Sequence, residues 1–206
     1  MARIHPSDIE RLRVEAPHRA ELHTLDALRH HLPDDYTVYH SLHFSYLEGR
    51  RQRFGEIDFV IVNRSGHLLL VEQKNGALIE GEDSLHKEYP DARKDVVAQV
   101  LQGRERVLDQ LGAVLPDASG HPVHVLLYCP DHTLGNAGTS GLPRTAIVDA
   151  TERSGLEAWI ERTLGPGSEA GAETAERVRA WARRALDVAP DLGASIERQE
   201  QTYAQM

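Results

Sequence analysis

The sequence predicts an α/β domain, a mixed sheet flanked by helices in the order α-β-β-β-α-β, followed by a helical C-terminal extension. Three observations carry this. Leucines recur at helical spacing near the N-terminus, and two β-rich runs meet at a short glycine-bearing turn with apolar residues on both faces. After about residue 150 the texture changes to helical stretches joined by Gly/Pro/Ser-rich links.

Taken in order, His18–Leu32 reads as an amphipathic helix through Leu22, Leu25, Leu28 and Leu32, and Pro33 stops it. Tyr36–Phe44 alternates as a strand. Phe54–Asn63 and His67–Lys74 read as strands joined by Arg64-Ser65-Gly66, a hairpin loop with glycine last. Ala77–Pro90 is polar and irregular and reads as a surface loop. Asp91–Leu115 reads as a helix with Val96, Val97, Val100, Val107, Leu108 and Leu111 inward. Pro122–Cys129 reads as a strand, Gly135–Pro143 as a loop and Arg144–Asp149 as one more strand. Helices follow at Leu156–Leu164, Glu173–Val188 and Ala194–Met206. The division is a domain over 1–150 and, over 151–206, a helical extension or linker to a further domain.

Composition narrows the function. A chain of 206 residues is long enough for a sizeable core. Its single cysteine, Cys129, has no partner in the chain, so a reducing cytoplasm is the expected setting. No apolar run is long enough to span a membrane, and no membrane partner is expected. The formal charge of −9 argues against a basic coat of nucleic acid, but not against an enzyme whose metal site needs carboxylates.

The hairpin raises the sharpest chemical question. If Asn63 pairs with His67, Asp58 falls opposite Glu72 and Glu56 opposite Lys74. Alternation then puts Glu56, Asp58, Glu72 and Lys74 on one face, with Val60, Val62, Leu68 and Leu70 nearer the loop. Ile57, Phe59, Ile61, Leu69 and Val71 take the other face. Opposed carboxylates destabilise a strand pair and force one pKa up. A divalent cation such as Mg²⁺ removes that penalty, and Lys74 then stands beside it as a fixed positive charge. Acids solvated at strand ends, with Lys74 neutralising Glu56 or Glu72, are the alternative. The conjunction of register, Glu-x-Lys spacing and apolar context favours the metal.

Glu21 shares the face of Leu25, Leu28 and Leu32 and so points inward. It can face a site, cap its helix or make a buried hydrogen bond. Arg50, Arg51 and Arg53 lead into the hairpin and suit phosphate oxygens, or simply solubilise a loop. The 12 histidines are scattered without metal-ligand spacing, and Trp159 and Trp181 read as packing residues.

Gly-Glu-Ile-Asp at Gly55–Asp58, followed after the hairpin by Glu72-Gln73-Lys74, resembles the PD-(D/E)XK nuclease superfamily. With the upstream helical Glu and the "LPDDYTVYHSL" stretch, it looks more closely like the NERD (nuclease-related) domain, from about Ala16 to about Leu134. The resemblance implies a restriction-endonuclease-like mixed sheet and a Mg²⁺- or Mn²⁺-dependent site that hydrolyses phosphodiester bonds of DNA. Asp58 and Glu72 match the metal-binding acids, Lys74 the catalytic lysine and Glu21 the acid of the first helix. Gln99 matches a helical glutamine near the site, with a solvated helix position as the alternative, and Val96 stands where the family often has proline. Glu56 is a further supporting acid. Gln73 departs from the apolar residue usual between Glu and Lys. The C-terminal "GASIERQEQTYAQM" is similar to links that join such domains to a superfamily 1 helicase motor, which would be a partner in DNA processing, repair or defence. A non-catalytic nucleic-acid-binding or docking module is the other reading.

Overall fold

The leucine stripe of the first helix is realised over Arg19–His31 (α1), where Leu22, Leu25 and Leu28 are buried together with Leu32 just beyond. The computed structural model describes residues 1–7, 19–48, 51–90, 92–135 and 141–187, apart from the side chains of 19, 46–48, 51–54 and 187. Before α1 lies β1 (Arg3–His5), three residues too few to announce themselves by alternation. After it come β2 (Thr37–Glu48), β3 (Arg51–Val62) and β4 (Leu68–Gln73). Next are β5 (Ile79–Glu80), β6 (Leu85–Tyr89), β7 (Ala92–Asp95) and α2 (Val96–Leu111). The chain continues through β8 (Val123–Cys129), β9 (Ile147–Asp149), α3 (Leu156–Leu164) and α4 (Ala172–Asp187).

One six-stranded mixed sheet runs β1-β2-β3-β4-β8-β9. The β2–β3 and β3–β4 pairs are antiparallel, and the others are parallel. On one face, α1 and α3 cover Phe59, Ile61, Leu69 and Val71, with Leu156, Ile160 and Leu164 supplying the α3 contacts. On the other, α2 and α4 cover Val60, Val62, Leu68 and Leu70 through Val107, Leu111, Val178, Trp181 and Ala182. The fold is thus α/β with a mixed sheet flanked by helices, as a nuclease-like fold requires. Residues from 151 onward enter it as α3 and α4, packed into these two cores as far as the described chain extends. The expected helix Ala194–Met206 lies outside the described residues. None of the described helices is long and apolar enough to cross a membrane.

Three expectations are corrected. The supposed loop Ala77–Pro90 and residues 92–95 of the supposed helix instead hold a small three-stranded sheet, β5-β6-β7. Its strands are mostly solvent-facing, so they show no apolar alternation. Only Leu85, with Leu78 before β5, anchors the insert against Val96, Val97 and Val100. Helix α2 begins at Val96 because the Asp95 carboxylate accepts the Ala98 N–H at 2.9 Å as its N-cap. Second, Arg51 and Arg53 belong to the backbone ladder of β3, opposite Glu48 and Tyr46, rather than to a loop. Third, Ile57 does not share a face with Phe59. It packs with Leu42, Phe44 and Val60. Leu42 and Ile57 thus face the same core as Tyr39 and Val60, so both strands reverse their alternation at the Ser41–Asp58 step. Ser41, a non-glycine residue at φ 56°, takes up the turn.

The hairpin loop after β3 is tied to the far end of the chain. Asn63, fully buried, accepts the N–H groups of Ser65 and His67 at 3.0 Å each through Oδ1. Its Nδ2 donates to the carbonyls of Leu164 at 2.9 Å and Gly165 at 3.2 Å. Gly66, at φ 82°, completes the loop, and a Cβ there would lie 2.8 Å from Ala175 Cα at the start of α4. One side chain therefore satisfies a turn and the C-terminal end of α3 together. Replacing it, Asn63→Ala, should destabilise the protein by about 3 kcal/mol in chemical denaturation, because several buried polar groups lose their partner at once. Asn63→Asp should not rescue it, since a carboxylate cannot donate to the helix-end carbonyls and is repelled by them.

Candidate active site at the divergence of β3 and β4

The β3–β4 ladder runs with the expected register from Val62↔Leu68 to Phe59↔Val71 and ends there. Beyond it the strands part. Asp58 reaches across the gap, and its Oδ2 accepts the Gln73 N–H at 2.7 Å, replacing the backbone acceptor that a continued ladder would offer. Strand β8 takes over on the other side of β4, pairing Glu72 with Leu127 and Gln73 with Tyr128. The Lys74 N–H donates to the Tyr128 carbonyl at 2.8 Å. The Glu72-Gln73-Lys74 backbone is therefore held on both sides.

Gly55 has a local reason. It stands opposite Phe44, whose ring lies over it; a Cβ at that position would come within 2.5 Å of the ring. Glu56 pairs with His43 in the ladder, and their side chains approach to 4.0 Å.

The acids are packed closely. Glu72 is 6% exposed and Lys74 is 9% exposed, and the Lys74 ammonium donates to Glu72 Oε1. Gln99, one turn into α2, donates Nε2 to the same oxygen at 2.5 Å. Gln99 was expected on either a solvated helix face or the site, and the structure puts it on Glu72. From the opposite layer, α1 brings Glu21, whose Oε2 lies 3.0 Å from His40 Nε2. His40 is buried, with its ring tilted against Phe59 at 5.3 Å. Among the scattered histidines nothing singled it out, because its partner lies on another element; only its place in the "YTVYHSL" stretch hinted at it.

Burial pushes the Asp58 carboxyl well above the usual carboxylate range, and the neighbouring Glu72 and Glu21 push it further. Lys74 and the Gln73 N–H pull only partly the other way. Burial likewise raises Glu72 despite the attached Lys74, with Glu56 and Glu21 adding to the rise. For Lys74 burial acts downward, but Glu72, with Asp58 and Tyr89 behind it, outweighs this and holds the ammonium above its ordinary value. The structure therefore brings Asp58, Glu72, Lys74, Glu21 and Gln99 into one electrostatic cluster at one end of the sheet. A small cavity lined by Glu56, Ile57, Leu70, Glu72, Gln99, Val100 and Gly103 adjoins it.

Other candidates fall elsewhere. Arg50 and the side chains of Arg51 and Arg53 lie outside the described residues. Burial pushes the Cys129 thiol up to about 12, which suits a packing residue rather than a nucleophile. Trp181 is buried and donates to Gln110 Oε1 at 3.2 Å. Trp159 is half-buried, donating to the Thr145 carbonyl at 3.0 Å. Among the described residues, no three His, Cys, Asp or Glu side chains already converge as a ligand cluster.

No curated protein and no solved structure matches the chain significantly. The profile of the nuclease-related domain does match it, over residues 16–130, a span that contains every member of the cluster. The chain belongs to the nuclease-related domain (NERD) family.

Proposed function

We propose that this protein is a Mg²⁺- or Mn²⁺-dependent nuclease that hydrolyses phosphodiester bonds of DNA at the Asp58–Glu72–Lys74 cluster. The observation that carries this is a buried Glu72 beside a part-buried Asp58, both carboxyls pushed above their usual range at the point where the β3–β4 ladder ends. The donor set fits a hard divalent cation. Asp58 and Glu72 offer only oxygen ligands, and a dication between them would offset both their repulsion and their desolvation. When bound, such a cation stabilises charge on phosphate oxygens and makes a coordinated water more acidic.

The chain's own groups do the rest. Gln99 fixes the Glu72 carboxylate by its hydrogen bond, and the Gln73 N–H fixes that of Asp58. Lys74, released from Glu72, presents an ammonium to the attacking water or to the phosphate as negative charge develops there. His40 holds Glu21 in place beside the pair. A superfamily 1 helicase motor, in cis or in trans, is the partner the family resemblance suggests, since unwinding supplies accessible strands.

A second reading has one observation in its favour. Lys74 already neutralises Glu72 internally, which is how a metal-free, non-catalytic nucleic-acid-binding or docking module would settle its buried acid. Lys74→Ala separates the two. A nuclease loses cleavage of labelled DNA by about 10²–10³-fold while retaining Mn²⁺ binding. A docking module shows no metal-dependent cleavage in either form.

Linkage supplies a further test. Because the folded-state pKa values of Asp58 and Glu72 are raised, their stabilising contribution is present below the ordinary carboxylate pKa. It is lost as pH rises through the raised values. Metal competes with those protons, so the rise in melting temperature caused by excess Mn²⁺ should be small at acidic pH and grow toward neutrality. Asp58→Asn keeps an acceptor for the Gln73 N–H while removing one charge. With chelator at neutral pH it should melt above the parent, by about 1 kcal/mol of stability. Its gain from Mn²⁺ should be much smaller. Equal Mn²⁺ shifts in parent and variant would show that Asp58 holds no cation.

A further inference from the structure

The β6–β7 hairpin is inserted between the two parts of the chain that build the site, after Lys74 and before Gln99. Its register pairs Lys87 with Lys94 and Tyr89 with Ala92, and these residues share one face of the ribbon. The other face pairs Glu88 with Arg93, whose opposite charges are complementary, and His86 with Asp95. The lysine face has no such balance. Like charges directly opposed across strands destabilise a hairpin, and this one retains them in a chain whose net charge is −9.

The face is aimed at the end of β4. Lys87 Nζ donates to the carbonyls of Asn75 at 2.6 Å and Ala77 at 3.2 Å, directly after Lys74. The root is rigid, because Leu85 and Leu78 pack against Val96, Val97 and Val100. The tip is open. Tyr89 is 42% exposed, and among the described residues the exposed large apolar side chains are Met1, Ile79 and Tyr89. Lys94 Nζ sits 5.2 Å from the centre of the Tyr89 ring.

We propose that this Lys87–Tyr89–Lys94 face is a grip for an unpaired polynucleotide strand, Tyr89 stacking one base and Lys94 holding a neighbouring phosphate beside the carboxylate cluster. The inference rests on the nuclease reading for the identity of the polyanion and adds the form of the substrate. An exposed aromatic ring offers stacking to a base with a free face, which an unpaired strand has and a duplex interior lacks. The Lys94 ammonium supplies a contact to phosphate that carries no sequence information, while Lys87 holds the face against the end of β4.

Binding in the presence of chelator tests this without reference to cleavage. The full chain is titrated into a fluorescently labelled single-stranded DNA oligonucleotide, and into the same sequence as a blunt duplex, and anisotropy is read. Tyr89→Ala should weaken single-strand binding by about tenfold and duplex binding far less, while Tyr89→Phe keeps the single-strand affinity, because stacking needs the ring and not the hydroxyl. Lys94→Gln should lower the slope of log affinity against log salt by about 0.7, the value of one phosphate contact on a single strand. The proposal is overturned if the parent does not bind the single strand, if Tyr89→Ala leaves that affinity unchanged, or if the duplex loses as much. Absence of metal-dependent cleavage together with the Tyr89 effect would remove the nuclease reading and leave the grip standing.

Discussion

The rest of the site depends on a pair of neighbouring strands whose ladder stops where two acids, Asp58 and Glu72, come together. Backbone pairing continues only as far as Phe59↔Val71, and from there the Asp58 carboxylate serves as the hydrogen-bond acceptor for β4. A carboxylate in that role gives the Gln73 N–H a charge-assisted bond. It also keeps Asp58 next to Glu72, whose charge disfavours ionisation of Asp58. A sheet built only for stability would place apolar side chains there. Buried ion pairs such as Glu72–Lys74 roughly offset their own desolvation and add little beyond that.

That opening is tolerable because everything around it is held by other means. β8 secures the far side of Glu72 and Gln73 and receives the Lys74 N–H, so the divergence from β3 does not free the segment. The two helical layers reach the same point from opposite faces, α1 with Glu21 and α2 with Gln99. Asp58 lies between them, at the step where β2 and β3 both reverse their alternation. The strained Ser41 backbone is the local cost of that reversal.

The electrostatic design runs against the average of the molecule in two places. An acidic chain concentrates buried carboxylates at the strand divergence and, beside them, a hairpin face of lysines with an exposed tyrosine. Opposite fields side by side suit a polyanion that must be attracted to a site whose own acids repel it. The net charge of −9 alone does not describe the field at this end of the sheet. The placement of a few side chains at one end of the sheet matters more than the total.

Local signals determined much of this protein. The leucine spacing marked α1, the β-branched runs and Gly66 marked the β3–β4 hairpin, and its register followed from loop length, because side chains alternate strictly along a strand. From that register alone Asp58, Glu72 and Lys74 were seen to gather, and the Gly-Glu-Ile-Asp and Glu-x-Lys pattern pointed to the nuclease-related family. Tertiary structure decided what depends on partners distant in the chain. Only it showed that Ile57 faces away from Phe59, since the reversal is shared between two strands and leaves the register unchanged. The β5-β6-β7 insert carries almost no buried residues, so it writes no periodic pattern that could be read. His40 and Gln99 acquire meaning only through Glu21 and Glu72, which lie on other elements. Periodicity reports which side of an element is buried; it carries no information about which polar atom waits on the other side of the gap.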